Sequence, residues 1–524
     1  MKLLTLNYIE RKKAKSPDEK EYKIWQRKIN ALNKDKHEAS ISAATKEEPC
    51  RFFIYNLRGE PLENLVAETF NDLKLAGSQA YTIFLRTGDQ LRDGALAQIS
   101  LIADQHNTPS LIYADHDRLD RSGQRHQAHF KPDWNEELFL STDYVDNAFA
   151  VRCDLLCDIL SDIKSDDDNL PFEVFLRATR RNPKEPPRHI PDILFHLQQN
   201  NGTNQHSKIA LLTHVLDGDN LEFSQSPLSN EKTNIIDIRA RADTPQKVTI
   251  IIPTRDRADL MSQILSGLYD KTDYENFEVL VVDNESQEAS THSLFQKYSQ
   301  KLNFTVISCP GTFNFSKMMN LAVTQANGSL LCLLNNDIEI QDPNWLKEMV
   351  GWAVRKDVGA VGAKLLYPDR RIQHAGVVMG LAGVAGHAFK TFDENDLGYH
   401  GRIQAVQEFS AVTAACLVVE KTIYNEVGGF NEESLAIAFN DVDFCLRLYQ
   451  NGYRNIYTPL ACLIHHESVS RGKPILPKAR AQAKSERDYL AATWEDMIAN
   501  DPHYSPHLSR LRTDFSIARM HKPL

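Results

Sequence analysis

From Lys247 onward, apolar and polar positions fall into alternating blocks. Val248–Ile252 is an unbroken apolar, mostly β-branched run that stops at Pro253, the pattern of a strand buried on both faces. Asp256 can cap a following helix, in which Leu260, Ile264, Leu265 and Leu268 share one face. Phe277–Val282 predicts a second strand ending at Asp283-Asn284, and Phe304–Ile307 a third. A helix carrying Met318, Met319, Ala322 and Ala326 should follow and end at Asn327-Gly328. Leu330–Leu334 reads as a fourth strand that stops at Asn335-Asn336-Asp337; the helix Trp345–Val354 and the strand Val358–Val361 come next. Farther on, Ala411–Val419 is strand-like, Phe439–Gln450 starts acidic and becomes helical, and Ala461–His466 ends in two histidines. Such alternation predicts an open, largely parallel α/β sheet, whose ligands bind beyond the carboxyl ends of the strands. Pro253–Asp256, Asp283-Asn284 and Asn335–Asp337 all fall at those ends.

The first half is less regular. Residues 1–45 are charged, with a helical stretch around Tyr22–Leu32, and Ala44–Pro49 reads as a linker. Arg51–Tyr55, Tyr81–Leu85 and Leu111–Tyr113 are short apolar runs, while Gln198–Lys208 and Ser224–Thr233 are polar loop segments. The 524 residues exceed one core and call for roughly two to four domains. The pattern divides them into an N-terminal helical segment (1–45), a mixed α/β region (46–235), the regular α/β domain (245–475) and a helical, Lys/Arg-rich extension (476–524).

Composition narrows the class. With 42% hydrophobic and 25% charged residues, the chain is that of an ordinary soluble protein. A net charge of −10 argues against a dedicated nucleic-acid binder. The 8 cysteines show no zinc-type pairing and are expected as reduced, buried thiols of a cytoplasmic protein. The apolar run at the N-terminus is too short for a signal peptide, and no stretch reaches the ~18 apolar residues of a membrane span. Peripheral membrane contact stays open.

Three elements carry candidate chemistry. Asp337, on a tight turn after a buried strand, can bind a divalent cation that bridges a diphosphate, since Mg2+ and Mn2+ prefer oxygen ligands and leave positions for substrate. Asp441 and Asp443 open a helix, where carboxylates commonly serve as caps, yet one of them could be a general base toward an acceptor hydroxyl. His465-His466 could complete a metal site begun by Asp337, or be structural. Pro253-Thr254-Arg255-Asp256-Arg257 has no glycine, which excludes the turn a dinucleotide-dependent dehydrogenase needs, and no phosphate-binding GxxxxGK[ST] loop is present.

The ordered set Pro253–Arg257, Val282-Asp283-Asn284, Phe313–Lys317 with Asn320, Leu334–Glu339, Gln373-His374-Ala375-Gly376, Thr413–Cys416, Gly428-Gly429-Phe430, Asn440–Asp443 and His465–Ser468 resembles the family 2 glycosyltransferases. The similarity is strongest to the bacterial enzymes that build O-antigen and other surface polysaccharides, rhamnosyltransferases among them. The resemblance implies a GT-A fold, a Rossmann-like nucleotide-diphospho-sugar transferase domain, and an inverting transfer from a nucleotide-diphosphate sugar, TDP-rhamnose or a UDP-sugar, with Mg2+ or Mn2+. The acceptor would be a saccharide or a lipid-linked saccharide at the inner membrane face. By the same resemblance, Pro253, Thr254, Arg255, Asp256 and Asp283 would hold the nucleotide, and Asn314, Lys317, Asn320 and Asn336 would line the donor pocket. Asp337 would bind the metal with His466, or with His465. Asp441 would be the base, and Thr413, Ala414 and Ala415 would line the acceptor side. Asn335 stands where the family's metal motif has its first acid, so metal binding should lean on the donor's diphosphate. His374 and His387 stay unassigned.

Ile83–Asp89 followed by Gly94-Ala95-Leu96 parallels Cys332–Asp337 followed by Asn344-Trp345-Leu346, placing Asp89 where Asp337 falls. Tyr113–Asp117 and Phe130–Asn135 also resemble segments of family 2 enzymes with tandem domains. Residues 46–235 are therefore expected as a degenerate GT-A-like domain without the nucleotide-binding turn, serving acceptor binding or assembly. Asp115-His116-Asp117 reads equally as a metal motif or a charged loop. Two alternatives follow: a non-catalytic glycan-binding scaffold, and a bifunctional enzyme with two active sites.

Overall fold

The computed structural model describes residues 22–23, 26, 50–57, 77–165, 169–198, 205–230, 233–466 and 477–518. Most of the expected helix around Tyr22–Leu32, and the linker Ala44–Pro49, lie outside the described residues.

The chain folds around two mixed sheets. The first contains β1 (Arg51–Leu57), β2 (Ala80–Arg86), β3 (Gln90–Leu91), β4 (Leu111–Leu119), β5 (Arg125–His129), β6 (Phe149–Arg152) and β7 (Arg188–Gln198), in the order β1-β2-β6-β4-β7-β3 with β5 beside β4. A hairpin of β8 (Leu221–Gln225) and β9 (Ile236–Ala240) leads to the second half. There β10 (Val248–Thr254), β11 (Phe277–Asp283), β12 (Phe304–Ser308) and β13 (Leu330–Leu334) lie side by side in parallel, with β10 between β11 and β13. β14 (Ile338–Ile340), β15 (Val358–Leu366) and β16 (Ile372–His374) follow, then the hairpin of β17 (Val377–Met379) and β18 (Ala385–His387), β19 (Gln407–Glu408), β20 (Cys416–Glu420) and β21 (Arg454–His465). The order is β12-β11-β10-β13-β20-β15-β21-β14, with β16 beside β15 and β19 beside β21.

The expected largely parallel sheet is thus mixed: β12, β11, β10 and β13 run in parallel, as do β15 and β21, while the other pairs are antiparallel. β20 runs against both β13 and β15, because the chain returns to the sheet from the loops after β15 without a crossover helix. The apolar run at Ala411–Val419 is a strand only from Cys416. Its first residues stay out of the ladder and line the site described below.

Strand by strand, the pairing of the first sheet repeats that of the second. β1∥β2, β2 against β6, β6 against β4, β4∥β7, β3 against β7 and β5 against β4 match β10∥β13, β13 against β20, β20 against β15, β15∥β21, β14 against β21 and β16 against β15. Among the described residues nothing in the first sheet corresponds to β11 and β12.

The two halves share apolar core. One cluster joins Phe139, Phe149 and Phe175 of the first half to Ile250, Trp345 and Trp352 of the second. The helix Trp345–Ala353 lies so close to β9 that a Cβ on Gly351 would stand 1.7 Å from the Ala240 carbonyl oxygen, so only glycine fits. Polar ties add to the packing: Asn135 Nδ2 donates to the Glu408 carbonyl at 3.0 Å, and the Phe130 amide donates to Tyr399 Oη at 2.7 Å.

The C-terminal region is helical over Pro477–Thr493 and Glu495–Ala499, but residues 501–518 are turns rather than the expected helix. Pro502 and Pro506 break the pattern, and the Asp501 carboxylate ties this segment to β17 by accepting the Met379 amide at 2.6 Å. All eight cysteines are free thiols, and six are buried. Among the described residues no helix is long and apolar enough to cross a membrane.

Candidate active site

A cavity of about 370 Å3 opens at the end of β13, lined among others by Asn335, Thr413, Ala414, Ala415, Phe439, Asn440, Asp441 and His465. Asp441 stands in the first turn of the helix Asn440–Gln450, after Phe439 in a left-handed conformation (φ 61°) that turns the chain into the helix. Its carboxylate accepts the Thr413 hydroxyl at 3.0 Å and the Ala414 amide at 3.1 Å through one oxygen, and the Val442 amide at 2.9 Å through the other. Burial pushes the Asp441 carboxyl above the usual range, and the Ala414 and Thr413 bonds oppose that shift. The predicted base and the predicted acceptor-side residues therefore meet in one hydrogen-bonded group. Asp443 serves another purpose: it pairs with Arg447 at 2.9 Å and accepts the Trp494 indole N–H at 3.0 Å.

Asp337, buried on the turn between β13 and β14, faces His465 Nε2 at 3.1 Å. The antiparallel register of β14 and β21 sets Ile338 opposite His465, which brings the two side chains together. His466, one position on, points elsewhere: its Nε2 lies 2.9 Å from Glu339, and only its backbone amide reaches Asp337, at the carbonyl oxygen and 2.9 Å. Of the two histidines, His465 is thus the one whose imidazole meets Asp337, contrary to the preference for His466.

Among the described residues no group of three or more His, Cys, Asp or Glu side chains is arranged to hold a metal ion. The donors at hand are the Asp337 carboxylate and His465, whose buried Nδ1 lacks a hydrogen-bond partner. One carboxylate and one imidazole fit a cation that takes its remaining ligands from a substrate diphosphate, as Asn335 in place of an acid implies.

At the carboxyl ends of β10 and β11, Asp256 and Arg257 both adopt left-handed backbone conformations (φ 57° and 60°). The Asp256 carboxylate accepts the amides of Gln287 and Glu288 at 2.6 and 2.9 Å, which holds its carboxyl below the usual range and pins the loop after β11. Asp283 accepts from the Ser286 amide at 3.2 Å, and Asn336 donates to Thr254 Oγ1 at 3.0 Å, linking β10 to the Asp337 turn. Pro253 is buried beside Val282, and Arg255 is exposed.

Two expected donor-pocket residues are committed to the framework. Asn314 caps the helix Phe315–Gln325 through the Lys317 amide at 2.9 Å and donates to the Glu432 carbonyl at 2.8 Å. Asn320 accepts from Tyr424 Oη at 2.7 Å and the Phe430 amide at 2.9 Å, and donates to the Phe430 carbonyl at 2.9 Å. Both hold the Gly429–Glu432 loop instead of presenting open amides; Lys317 is exposed.

Sequence reasoning missed Glu486. Its buried carboxylate accepts the amides of Ile437 and Ala438 at 3.1 and 3.0 Å and so fixes the loop that leads into Asp441. It stands in a helix without apolar periodicity, and nothing local marks it.

In the first half, the Asp89 carboxylate accepts the amides of Arg86 and Gln198 at 2.8 and 2.7 Å and the Asn147 side-chain amide at 2.8 Å. Asp115 accepts the Lys131 amide at 2.8 Å and faces His189 at 2.9 Å, while Asp117 meets Arg125 at 2.7 Å and His196 at 2.6 Å.

Residues 249–379 match the family Glycosyl transferase family 2. The chain is 36% identical over 457 residues to the uncharacterised protein y4gI of Sinorhizobium fredii, across 84% of this chain and 49% of that protein. It is 34% identical over 489 residues to the O-antigen biosynthesis protein RfbC of Myxococcus xanthus, across 91% of this chain and 37% of that protein. The chain therefore spans less than half the length of either relative. Among solved structures, it aligns with the mannosyltransferase PcManGT from Pyrobaculum calidifontis in complex with GDP-Man and Mn2+, at a TM-score of 0.38 and 18% identity over 50% of this chain and 71% of that one.

Proposed function

We propose, from the premise that this chain carries a glycosyl transferase family 2 domain in its second half, that it moves a sugar from a nucleotide-diphosphate donor to a hydroxyl of a saccharide or lipid-linked saccharide, with inversion at the anomeric carbon. The observation that carries this reading is the shared cavity of Asp441, Asn335 and His465, with His465 bonded in turn to Asp337. Asp441 takes the acceptor proton as the oxygen attacks the anomeric carbon, and the bond to the diphosphate breaks on the opposite face. A raised carboxyl suits that task, because a stronger base holds the proton better once taken. Pro253, Thr254, Arg255, Asp256, Asp283 and Asn336 form the donor end, with Lys317 at its exposed margin. Asp337 and His465, or His466, would hold Mg2+ or Mn2+, which supplies positive charge to the departing diphosphate when bound.

The name of the Myxococcus relative supports a place in O-antigen synthesis; the donor we propose is TDP-rhamnose or a UDP-sugar. We place the chain in the cytoplasm, in peripheral contact with the inner membrane face. The first half, residues 46–235, acts as a degenerate GT-A-like domain without catalysis. Its sheet lacks counterparts of β11 and β12 among the described residues, and Asp89 spends its carboxylate on three protein donors.

A panel of TDP-, UDP- and GDP-sugars, incubated with and without Mn2+, tests the proposal through released nucleotide and through thermal stabilisation by the donor. Release from at least one donor is expected; no release from any of them overturns the reading.

A further inference from the structure

Ile437, Ala438 and Phe439 line the cavity and lead directly into the helix that opens with Asn440 and Asp441. No strand or helix of its own supports this stretch. Phe439 moreover holds a left-handed backbone (φ 61°), a conformation that a bulky side chain keeps only where its surroundings enforce it. The placement of the Asp441 carboxylate against Thr413 and Ala414 therefore depends on what holds the backbone just before Phe439.

Two helices hold it from outside. Ser316, in the first turn of Phe315–Gln325, donates its hydroxyl to the Leu435 carbonyl at 2.5 Å and its amide to the Ala436 carbonyl at 3.4 Å. Glu486, 3% exposed in the helix Pro477–Thr493, takes over at the next residue. One of its carboxylate oxygens accepts the Ile437 amide at 3.1 Å, and the other accepts the Ala438 amide at 3.0 Å. Two successive amides aimed at one carboxylate fix both peptide planes beside Phe439. Gln482, a turn earlier on the same helix, donates its Nε2 to that carboxylate at 3.2 Å and orients it. Farther along the same C-terminal stretch, the indole N–H of buried Trp494 donates to Asp443 at 3.0 Å. The C-terminal region thus grips the chain on both flanks of Asp441. A buried carboxylate is a costly way to seat a helix, because an apolar side chain would pack there without desolvating a charge. What Glu486 supplies is geometry.

We propose that Glu486 is a positioning residue for the base: with Trp494, it fastens the C-terminal helix to both flanks of Asp441 and so holds that carboxylate where the acceptor hydroxyl arrives. The C-terminal extension is then a working part of the transferase site. This rests on the transferase reading above, and the experiment separates the two. With the full chain and a donor active in the panel, three quantities are measured: kcat of nucleotide release at saturating donor, donor Kd with Mn2+ by calorimetry, and Tm. The rates are taken at a temperature where each variant is folded.

Glu486→Ala should lower kcat about 10- to 100-fold, the scale on which a small misplacement of a reacting group acts, while donor Kd stays within about twofold of wild type. Glu486→Gln, which keeps one carbonyl oxygen for one of the two amides, should lose less. Trp494→Phe, which keeps a ring but not the N–H, should lower kcat in the same direction. Leu490→Ala is the control: it removes buried packing from the same helix and no hydrogen bond to the loop. It should lower Tm and leave kcat of the folded protein near wild type. A wild-type kcat in Glu486→Ala overturns the positioning role and leaves the transferase reading intact. So does a Leu490→Ala kcat that falls as far as that of Glu486→Ala, or a donor Kd that weakens in step with kcat. Should Glu486→Ala not fold, Glu486→Gln and Trp494→Phe decide: lowered kcat at unchanged donor Kd supports the role, and wild-type kcat in both overturns it. A wild type that releases nucleotide from no donor overturns both readings.

Discussion

The Thr413 hydroxyl donates to the Asp441 carboxylate across 3.0 Å, and the Ala414 amide reaches the same oxygen at 3.1 Å. Both bonds favour the ionised carboxylate, against a burial that favours the protonated one. Asp441→Asn should lower kcat by ~10²–10⁴-fold, the worth of a positioned base, with donor affinity nearly unchanged. Steady-state kinetics alongside donor calorimetry check this; near-wild-type turnover removes Asp441 from its role.

The same balance gives a pH dependence. The base acts only when deprotonated, so kcat falls as pH drops through the raised Asp441 value, at a higher pH than an ordinary aspartate would give. Thr413→Val removes one bond to the charged form and should move that acid limb to still higher pH. A pH profile of kcat reads the shift, and an acid limb that moves down or stays in place contradicts it.

Asp337→Ala should weaken donor binding in the presence of Mn2+ far more than in its absence. Because His465 rather than His466 meets Asp337, His465→Ala should cost more metal-dependent affinity than His466→Ala. The loss should reach ~10–100-fold, the scale on which even supporting groups of metal sites act. Calorimetric titration of TDP and UDP with Mn2+ decides the order of the two histidines.

Much of this site was legible because buried strands announce themselves. Val248–Ile252, Phe277–Val282 and Leu330–Leu334 are apolar throughout, and the polar residues that end them mark the sheet's carboxyl edge, where Thr254, Asp283 and Asp337 stand. What could not be read depends on partners distant in sequence. Asn314 and Asn320, expected at the donor pocket, bond the loop around Phe430, which lies more than a hundred residues away. The His374–His387 pair exists only because a hairpin folds β18 back beside β17. The meeting of His465 with Asp337 follows from the register of β14 against β21, which no local pattern shows.

Arg454 joins the two halves through Glu137 at the first sheet's margin, and through Asp357 at 2.6 Å and Glu408 at 3.3 Å in the second. Removing it leaves the buried Glu137 without its cation, so Arg454→Met should cost ~3–5 kcal/mol in chemical denaturation. Burial pushes the Glu408 carboxyl up to about 8, with Arg454 pulling the other way. A raised acid binds its proton more tightly folded than unfolded, so its stabilising contribution is full below about 4.5 and is lost as pH climbs through about 8. Glu408→Gln should therefore flatten the fall of stability across that window.

Asp89 distinguishes a silent first half from a second active site. Its carboxylate is tied to Arg86, Asn147 and Gln198, so Asp89→Ala leaves two backbone amides and a side-chain amide without their acceptor. The expected cost is ~1–3 kcal/mol of stability, because each buried donor must be left dry or rehydrated. If the first half only supports the second, donor hydrolysis per folded molecule should not change, and its Mn2+ dependence should be that of wild type. The control is Asp337→Ala, which should do the reverse: small stability loss, large loss of metal-dependent donor binding. Should Asp89→Ala instead abolish a distinct donor activity that survives in Asp337→Ala, the first half has its own catalytic centre, and the committed hydrogen bonds of Asp89 must open when substrate arrives.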